Sequence, residues 1–370
     1  MPAPGAARRL HRRTRRSLSR DPCPGADSGG GSHRHRQTGP VAGRGTPPWQ
    51  RHPPCPDRID LRCPGGVAVK TPARTTRTLL LAVDFSRPAS RAVPYAIKLA
   101  SVLNLSLTVV HVLQAPPGFT SWTPVARRSL DPLRTKAMLE LGRVIRFAND
   151  NQVPAKYKLL AGVPEDAILQ TADEIRAGLI VMGTHGRSGL DRLKLGSVAD
   201  AVLRRAHCPV FTIRAAAGGH PAVHPLRLNL GRILVATDFS PSSEAALRHA
   251  TELARLLPAE VLLLHVAADS TETRIEEKFR RALSASRSGD VVGGQLLLQG
   301  DPAESILAHA TRTKTRLIVM GTQGRRGMER LLLGSVAEAV IRGAHCPVLV
   351  VRNGGRHRRP APPAPTAHRH

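Results

Sequence analysis

The sequence predicts an α/β protein made of two tandem parallel-sheet domains with helices on both faces. Two observations carry this prediction. A long segment recurs almost unchanged: GLIVMGTHGRSGLDRLKLGSVADAVLRRAHCPVFTIR at 178–214 answers RLIVMGTQGRRGMERLLLGSVAEAVIRGAHCPVLVVR at 316–352, with 25 of 37 positions identical and no gap. Within each copy, short apolar runs alternate with segments of helical spacing, the pattern of a parallel sheet wound with helices.

The elements follow in order along the second copy. Ile233 to Asp238, ILVATD, is a short apolar run suited to a strand buried on both faces. Ser240-Pro241 supplies an N-cap and a proline at the first helical position, and Ala246, Leu247, Ala250, Leu253 and Ala254 follow at helical spacing. VLLLHV at 261–266 is the second strand, 271–285 a polar helix, and VVGGQLLLQG at 291–300 contains the third strand. Asp301-Pro302 opens a helix, LIVMG is the fourth strand, Ser335 to Arg342 a helix, and PVLVV the fifth strand. The first copy repeats this order. LLLAVDFS at 79–86 matches the first strand and LTVVHV at 107–112 the second, at an offset of 154 rather than the 138 of the later segment. Copy one is therefore 16 residues longer between its second and third strands, around PPGFTSWTPVARRSL at 116–130.

These limits give domain one at 75–214, a Gly-, Pro- and Ala-rich linker at 215–229 and domain two at 230–352. Residues 1–72 and 353–370 are rich in Pro, Gly, Arg and His and are expected to be basic disordered extensions. The abrupt change of composition before Leu79 is also what a translation start assigned too far upstream would produce.

The formal net charge is +28, of which residues 1–70 hold +10 and residues 352–370 hold +5. More than half of the excess thus sits in the two ends, which argues against a nucleic-acid surface on the domains themselves; basic arms either bind polyanions or stay solvated. The five cysteines, Cys23, Cys55, Cys63, Cys208 and Cys346, form no C-x-x-C pair. A disulfide framework or structural zinc site is not expected, and the usage fits a reducing cytoplasm. No run has the apolar length of a membrane span. The opening RRLHRRTRRSLSR lacks the apolar region of a secretory signal.

One spacing carries chemistry. The fourth strand runs into Gly183-Thr-His-Gly186, then nine residues, then Gly196-Ser197 opening a helix; copy two repeats this as Gly321-Thr-Gln-Gly324 and Gly334-Ser335. Ligands of open parallel sheets bind beyond the carboxyl ends of the strands, near a switch in strand order. Glycines admit close approach of backbone to phosphate and permit φ > 0, and a helix N-terminus offers unpaired N–H groups to an anion. Ser197 and Ser335 add a hydroxyl, and Arg187, Arg192, Arg325 and Arg330 lie in the intervening loops. On spacing alone, plain turn chemistry is an equal reading. Neither a Walker loop nor a dinucleotide fingerprint occurs here.

These residues, with the V-D-F-S and T-D-F-S strand ends, the H-V ends of the second strands and the H-C-P-V segments, resemble the universal stress protein family. The resemblance covers both copies and leaves the two ends unmatched. It implies a five-stranded, Rossmann-like parallel sheet of the adenine nucleotide α-hydrolase-like kind, and it implies ATP binding, with Mg2+ as an accompanying ion, because both copies keep the full glycine-serine motif. Carried over, Asp84 and Asp238 match the acid near the adenosine end and Val112 and Val266 an adenine contact. Met182 and Met320 match an apolar neighbour of the motif. Gly183, Gly186, Gly196, Ser197 and Val198 match the phosphate segment, as do Gly321, Gly324, Gly334, Ser335 and Val336. The resemblance further implies intramolecular pairing of the domains through their last strands, joining FTI at 211–213 to LVV at 349–351, or a homodimer by the same route.

Alternatives stand beside several of these roles. Asp84 and Asp238 also suit the start of a helix, where the macrodipole favours an acid. His111 and His265 end buried strands and are expected to be hydrogen-bonded packing residues rather than catalysts. Cys208 and Cys346 read as small buried fillers. Phe119 and Trp122 suit either a nucleotide cap or local loop packing. No nucleophile–base pair or metal-ligand cluster is visible, so the expected function is a stress-response regulator whose nucleotide state tunes association with partners. A slow ATPase and a nucleotide-free scaffold or polyanion-binding module are the other two readings.

Overall fold

A computed structural model describes residues 8–10, 78–114, 124–184, 195–214, 230–267, 272–288, 290–322 and 333–352. Strand β1 is Arg8–Leu10. The first repeat then runs β2 (Thr78–Ala82), α1 (Arg87–Leu103), β3 (Ser106–Leu113), α2 (Pro124–Asp150), β4 (Ala155–Ala161), α3 (Pro164–Glu174), β5 (Ala177–Gly183), α4 (Ser197–Arg205) and β6 (Val210–Ile213). The second runs β7 (Gly231–Ala236), α5 (Pro241–Leu256), β8 (Ala259–Ala267), α6 (Glu272–Ser286), β9 (Val292–Gln299), α7 (Pro302–Arg312), β10 (Leu317–Gly321), α8 (Ser335–Gly343) and β11 (Val348–Val351).

Local chemistry sets the helix starts. Ser86 and Ser240 sit at N-caps with extended backbone, and their hydroxyls accept from the N–H of Ala89 and Ser243. Asp301 does the same for Glu304 N–H at 2.9 Å. Prolines occupy the first turn of α1, α3, α5 and α7, where a missing N–H costs nothing.

The strand order is β1-β9-β8-β7-β10-β11-β6-β5-β2-β3-β4, one continuous sheet. Within each repeat the five strands are parallel, and the order reverses where the first strand of the repeat meets its fourth: β2 beside β5, β7 beside β10. The repeats join where β6 and β11 pair antiparallel, with Val210 opposite Val350, Phe211 opposite Leu349 and Thr212 opposite Val348. The pairing involves the expected strands, one residue earlier in each than the segments read from the sequence. Thr212 Oγ1 also donates to the Val348 carbonyl at 3.1 Å.

The β1 strand pairs antiparallel with β9, Arg8 opposite Leu297 and Leu10 opposite Gln295. At these three residues the chain is strand rather than the disordered extension expected for 1–72; the remainder of that segment, the linker 215–229 and the tail 353–370 lie outside the described residues.

Helices cover both faces. One apolar layer gathers α1, α2, α5 and α6 over Leu79, Leu81, Val109, Val235 and Leu263; the other gathers α3, α4, α7 and α8 over Leu80, Ile180, Leu234 and Ile318. Leu79, Leu80 and Leu81 are all fully buried, so successive side chains of one strand feed opposite layers. Each such side chain contributes about 2 kcal/mol relative to exposure. Both layers cross the β6–β11 seam. Phe211 lies there with the Tyr95 ring at 5.7 Å, and burial pushes the Tyr95 hydroxyl above its usual range. Arg352 donates to the carbonyls of Arg204 at 2.8 Å and Ala206 at 3.4 Å, satisfying the C-terminus of α4 from the other repeat.

Candidate functional site

The reversal of strand order in repeat one opens a cleft of about 400 Å³ beyond the carboxyl ends of β2, β3 and β5. Asp84, Val112, Met182, Gly183, Gly196, Ser197 and Val198 all line it. Four separate elements bring these residues together: the ends of three strands and the first turn of α4. Gly186 lies outside the described residues, as do His185, Arg187 and Arg192.

The end of β2 turns sharply into α1 at Val83-Asp84-Phe85-Ser86. Asp84 Oδ1 accepts from Ser86 N–H at 3.0 Å and from Ser86 Oγ at 2.6 Å. These two bonds tie the acid to the N-cap residue of α1, while the carboxylate still lines the cleft. Phe85 has φ of 62°, a left-handed conformation unusual for a bulky residue. Its ring rests on His111 at a centroid distance of 4.5 Å. His111 is buried and its Nδ1 donates to the Val83 carbonyl at 2.7 Å, so the histidine is a hydrogen-bonded packing residue.

The motif glycines act through close approach. A Cβ on Gly183 would stand 2.8 Å from Pro88 Cβ and 3.0 Å from the Ala89 backbone nitrogen. Gly196 is the N-cap of α4 with φ of −62° and Gly334 that of α8 with the same φ, and Gly183 and Gly321 are absent from the left-handed region as well. The freedom to adopt φ > 0 is therefore not what these four glycines supply. Gly196 N–H donates to the Thr184 carbonyl at 2.9 Å, and Thr184 N–H to the Ile213 carbonyl at 3.0 Å, which clamps the start of α4 to the end of β5. No side chain caps α4, so its first-turn N–H groups have no capping partner, and Ser197, Val198 and Ala199 of that turn line the cleft.

Repeat two rebuilds the turn. Asp238 Oδ1 accepts from Ser240 N–H at 3.1 Å, Phe239 has φ of 60°, and His265 Nδ1 donates to the Thr237 carbonyl at 2.7 Å. A Cβ on Gly321 would come within 2.9 Å of the Ser242 backbone carbonyl carbon. Gly334 N–H donates to the Thr322 carbonyl at 2.8 Å. Val266 ends β8, Met320 precedes Gly321 in β10, and Ser335 and Val336 open α8. Gly324, Arg325 and Arg330 lie outside the described residues.

Two groups escaped the sequence reading. Lys136, on α2, lines the repeat-one cleft and among the described residues has no ion-pair or hydrogen-bond partner; the corresponding residue of α6, 138 positions on, is Arg274. The shared cation is hidden in sequence because the surrounding helices have little identity. Thr184 lines the same cleft, and its counterpart Thr322 has a buried hydroxyl with no partner among the described residues. The signal for these threonines was present: both copies read Met-Gly-Thr.

Cys208 and Cys346 have thiols pushed up to about 12, chiefly by burial, which keeps them in the neutral form. The longer segment of repeat one extends α2, which begins ten residues earlier than α6 when the two are aligned at the 138-residue offset. Phe119 and Trp122 lie outside the described residues. Among the described residues no group of three or more His, Cys, Asp or Glu is placed to hold a metal ion, and no helix is long and apolar enough to cross a membrane.

Comparison with known proteins decides the family. The model of the universal stress protein family matches residues 75–214 and again residues 229–352. The chain belongs to the universal stress protein family. Among its relatives, the universal stress protein Rv2005c of Mycobacterium tuberculosis is 27% identical over 300 residues, covering 75% of this chain and 98% of that protein. The universal stress protein MJ0531 of Methanocaldococcus jannaschii is 38% identical over 138 residues, 33% of this chain and 81% of its own. A crystal structure of a universal stress protein from Archaeoglobus fulgidus superposes with a TM-score of 0.61 and 25% identity, over 76% of this chain and 100% of that one. A universal stress protein of tandem build thus accounts for the parallel α/β repeats.

Proposed function

We propose that this universal stress protein is a regulatory nucleotide-binding protein, holding one ATP in each repeat, whose nucleotide state tunes its association with protein partners in the cytoplasm under stress. The observation that carries the reading is the convergence of Asp84, Val112, Met182, Gly183, Gly196, Ser197 and Val198 on one cleft at the switch in strand order. Its volume of about 400 Å³ is in the range of small-molecule sites.

In this reading the adenine packs on Val112 and Met182, and the carboxylate of Asp84 meets the adenosine hydroxyls. The phosphates lie against the first turn of α4, where the unpaired N–H groups and the Ser197 hydroxyl supply positive field. Repeat two is assigned the same roles at Asp238, Val266, Met320, Gly321, Gly324, Gly334, Ser335 and Val336. The partnerless hydroxyl of Thr322 fits a site whose acceptor is a ligand oxygen. Mg2+ would accompany the phosphates and be held mainly by them, since the described residues offer no carboxylate cluster. The role is binding rather than catalysis, and a homodimer is a further assembly state in this reading.

Identification of small molecules released by denaturing the purified protein tests the proposal. ATP in roughly two copies per chain is expected by mass action if both sites bind tightly. Gly196→Asp with Gly334→Asp places a carboxylate against each phosphate segment and should abolish binding in a folded protein. A protein that neither carries nor takes up ATP would defeat the reading, and accumulated ADP with steady phosphate release would move it to an ATPase.

A further inference from the structure

Phe85 and Lys136 line a second cavity as well as the cleft. This groove, of about 480 Å³, runs between α1 and α2. Its floor is apolar, formed by Val83, Ala89, Val93, Val144 and Phe147. Lys136 and Arg143 stand seven residues apart on α2, hence on one helix face, and both are exposed. Glu140 lies between them and is ion-paired with Arg143 at 2.7 Å. The lining therefore leaves one cation, Lys136, without a counter-charge among the described residues.

Repeat two packs an aromatic residue at the corresponding place on its helix. At the 138-residue offset, Phe279 stands where repeat one has Leu141. Phe279 is fully buried and packs edge-on against Phe239 at 5.2 Å, with Lys278 5.9 Å above the Phe239 ring. There α6 lies close along α5, whereas α2 stands further from α1.

We propose that the α1–α2 groove of repeat one binds a small amphipathic monocarboxylate. The chain of such a ligand lies on Val93, Val144 and Phe147, and its carboxylate meets Lys136, with Arg143 adding to the field. One leftover positive charge above an apolar floor matches one negative charge on an apolar chain. The volume is that of a small-molecule site, and the groove is bounded by two helices rather than being the broad face that a stable protein interface needs. The inference does not rest on the nucleotide reading: Val83, Phe85, Ala89 and Lys136 line both spaces, but Val93, Arg143, Val144 and Phe147 line the groove and not the cleft.

Calorimetric titration of the full chain with decanoate, below its micelle concentration, tests this. Saturable one-to-one binding is expected. Val144→Trp fills the groove and should weaken binding about tenfold or more, a loss of about 1.4 kcal/mol. Arg143→Glu, an exposed change that leaves the core alone, should weaken it about fivefold by reversing a rim charge. Uncharged decanol should bind about tenfold more weakly than decanoate. Absence of saturable heat would overturn the proposal. So would binding that is indifferent to both Arg143→Glu and the loss of ligand charge, or binding that ATP displaces competitively while Arg143→Glu leaves it unchanged, since that would put decanoate in the cleft.

Discussion

The Phe85 ring lies 4.5 Å from the His111 ring, while Phe85 itself holds a left-handed backbone at φ of 62°. Phe239 and His265 repeat this relationship at 4.7 Å and φ of 60°. A bulky residue in that conformation costs about 1–3 kcal/mol and persists only where its surroundings hold it. Here the histidine does so twice, by offering a ring and by donating from Nδ1 to the carbonyl of the residue two before the phenylalanine. The turn so fixed aims Asp84 at the cleft and Ser86 at the start of α1.

It follows that His111→Leu should be costly to the turn, apart from any effect on the cleft that His111 also lines. The leucine keeps apolar contact with Phe85 but leaves the Val83 carbonyl without its donor. A loss of about 1–3 kcal/mol is expected from that buried, unpaired group. Urea unfolding of the variant measures it. His111→Gln, which keeps a donor near the same place, should recover part of the loss; equal destabilisation by both would show that the hydrogen bond contributes nothing.

The seam between repeats gives a second expectation. Phe211 is buried opposite Leu349 and beside Tyr95. Phe211→Ala should destabilise by about 3–5 kcal/mol, as large-to-small changes in a packed core do. The loss falls on the contact that makes one sheet of two. Denaturant unfolding followed by two probes, one in each repeat, should therefore change from coincident transitions to separate ones. Retained coincidence would mean that the repeats are coupled elsewhere.

Much of this architecture was legible in the sequence, for a physical reason. Buried parallel strands must be apolar on both faces, so runs such as ILVAT and LIVMG announce themselves, and Ser-Pro and Asp-Pro mark helix starts by their backbone chemistry. The repeat then supplied the boundaries twice. The cleft was legible where its residues fall in the recurring segment, from Met182 to Val198. It was not legible at Lys136, which arrives from a helix whose exposed face is free to vary. Nor did the sequence disclose the left-handed Phe85, since Phe carries no signal for that conformation, or the reason for Gly183, which answers to Pro88, a residue almost a hundred positions earlier.

Burial disfavours the thiolate of Cys208 and Cys346, the cysteines that precede β6 and β11. Both thiols are pushed up to about 12, so they remain protonated in the folded chain at pH 8. Mapping of alkylation sites by mass spectrometry should find Cys208 and Cys346 unlabelled in the native protein and labelled once urea unfolds it. The linkage has a definite sign. The folded pKa lies above the unfolded one, so these groups cost no stability below about pH 8.5, where both states are protonated. Stability then falls as pH rises toward 12, because only the unfolded chain gives up the protons. Cys346→Ala should flatten part of that alkaline decline.

Gly183 and Gly321 provide the sharpest separation of packing from ligand chemistry. The smallest side chain at Gly183 drives a carbon to 2.8 Å from Pro88 Cβ and 3.0 Å from the Ala89 nitrogen, and at Gly321 to 2.9 Å from the Ser242 backbone carbon. In each case the obstacle is the first turn of the helix after the repeat's first strand, α1 or α5, which cannot yield as a flexible side-chain tip would. Gly183→Ala and Gly321→Ala should each cost about 1–3 kcal/mol by overpacking. Gly196→Ala provides the contrast. Its φ of −62° is open to any residue, so the backbone tolerates the change, and the penalty there is the weaker N-capping of alanine, about 1 kcal/mol or less. Thermal melts of the three variants should therefore rank Gly183→Ala and Gly321→Ala well below Gly196→Ala. If Gly196→Ala melts as low as the other two, the constraint on the strand-end glycines is not the close approach of α1 and α5.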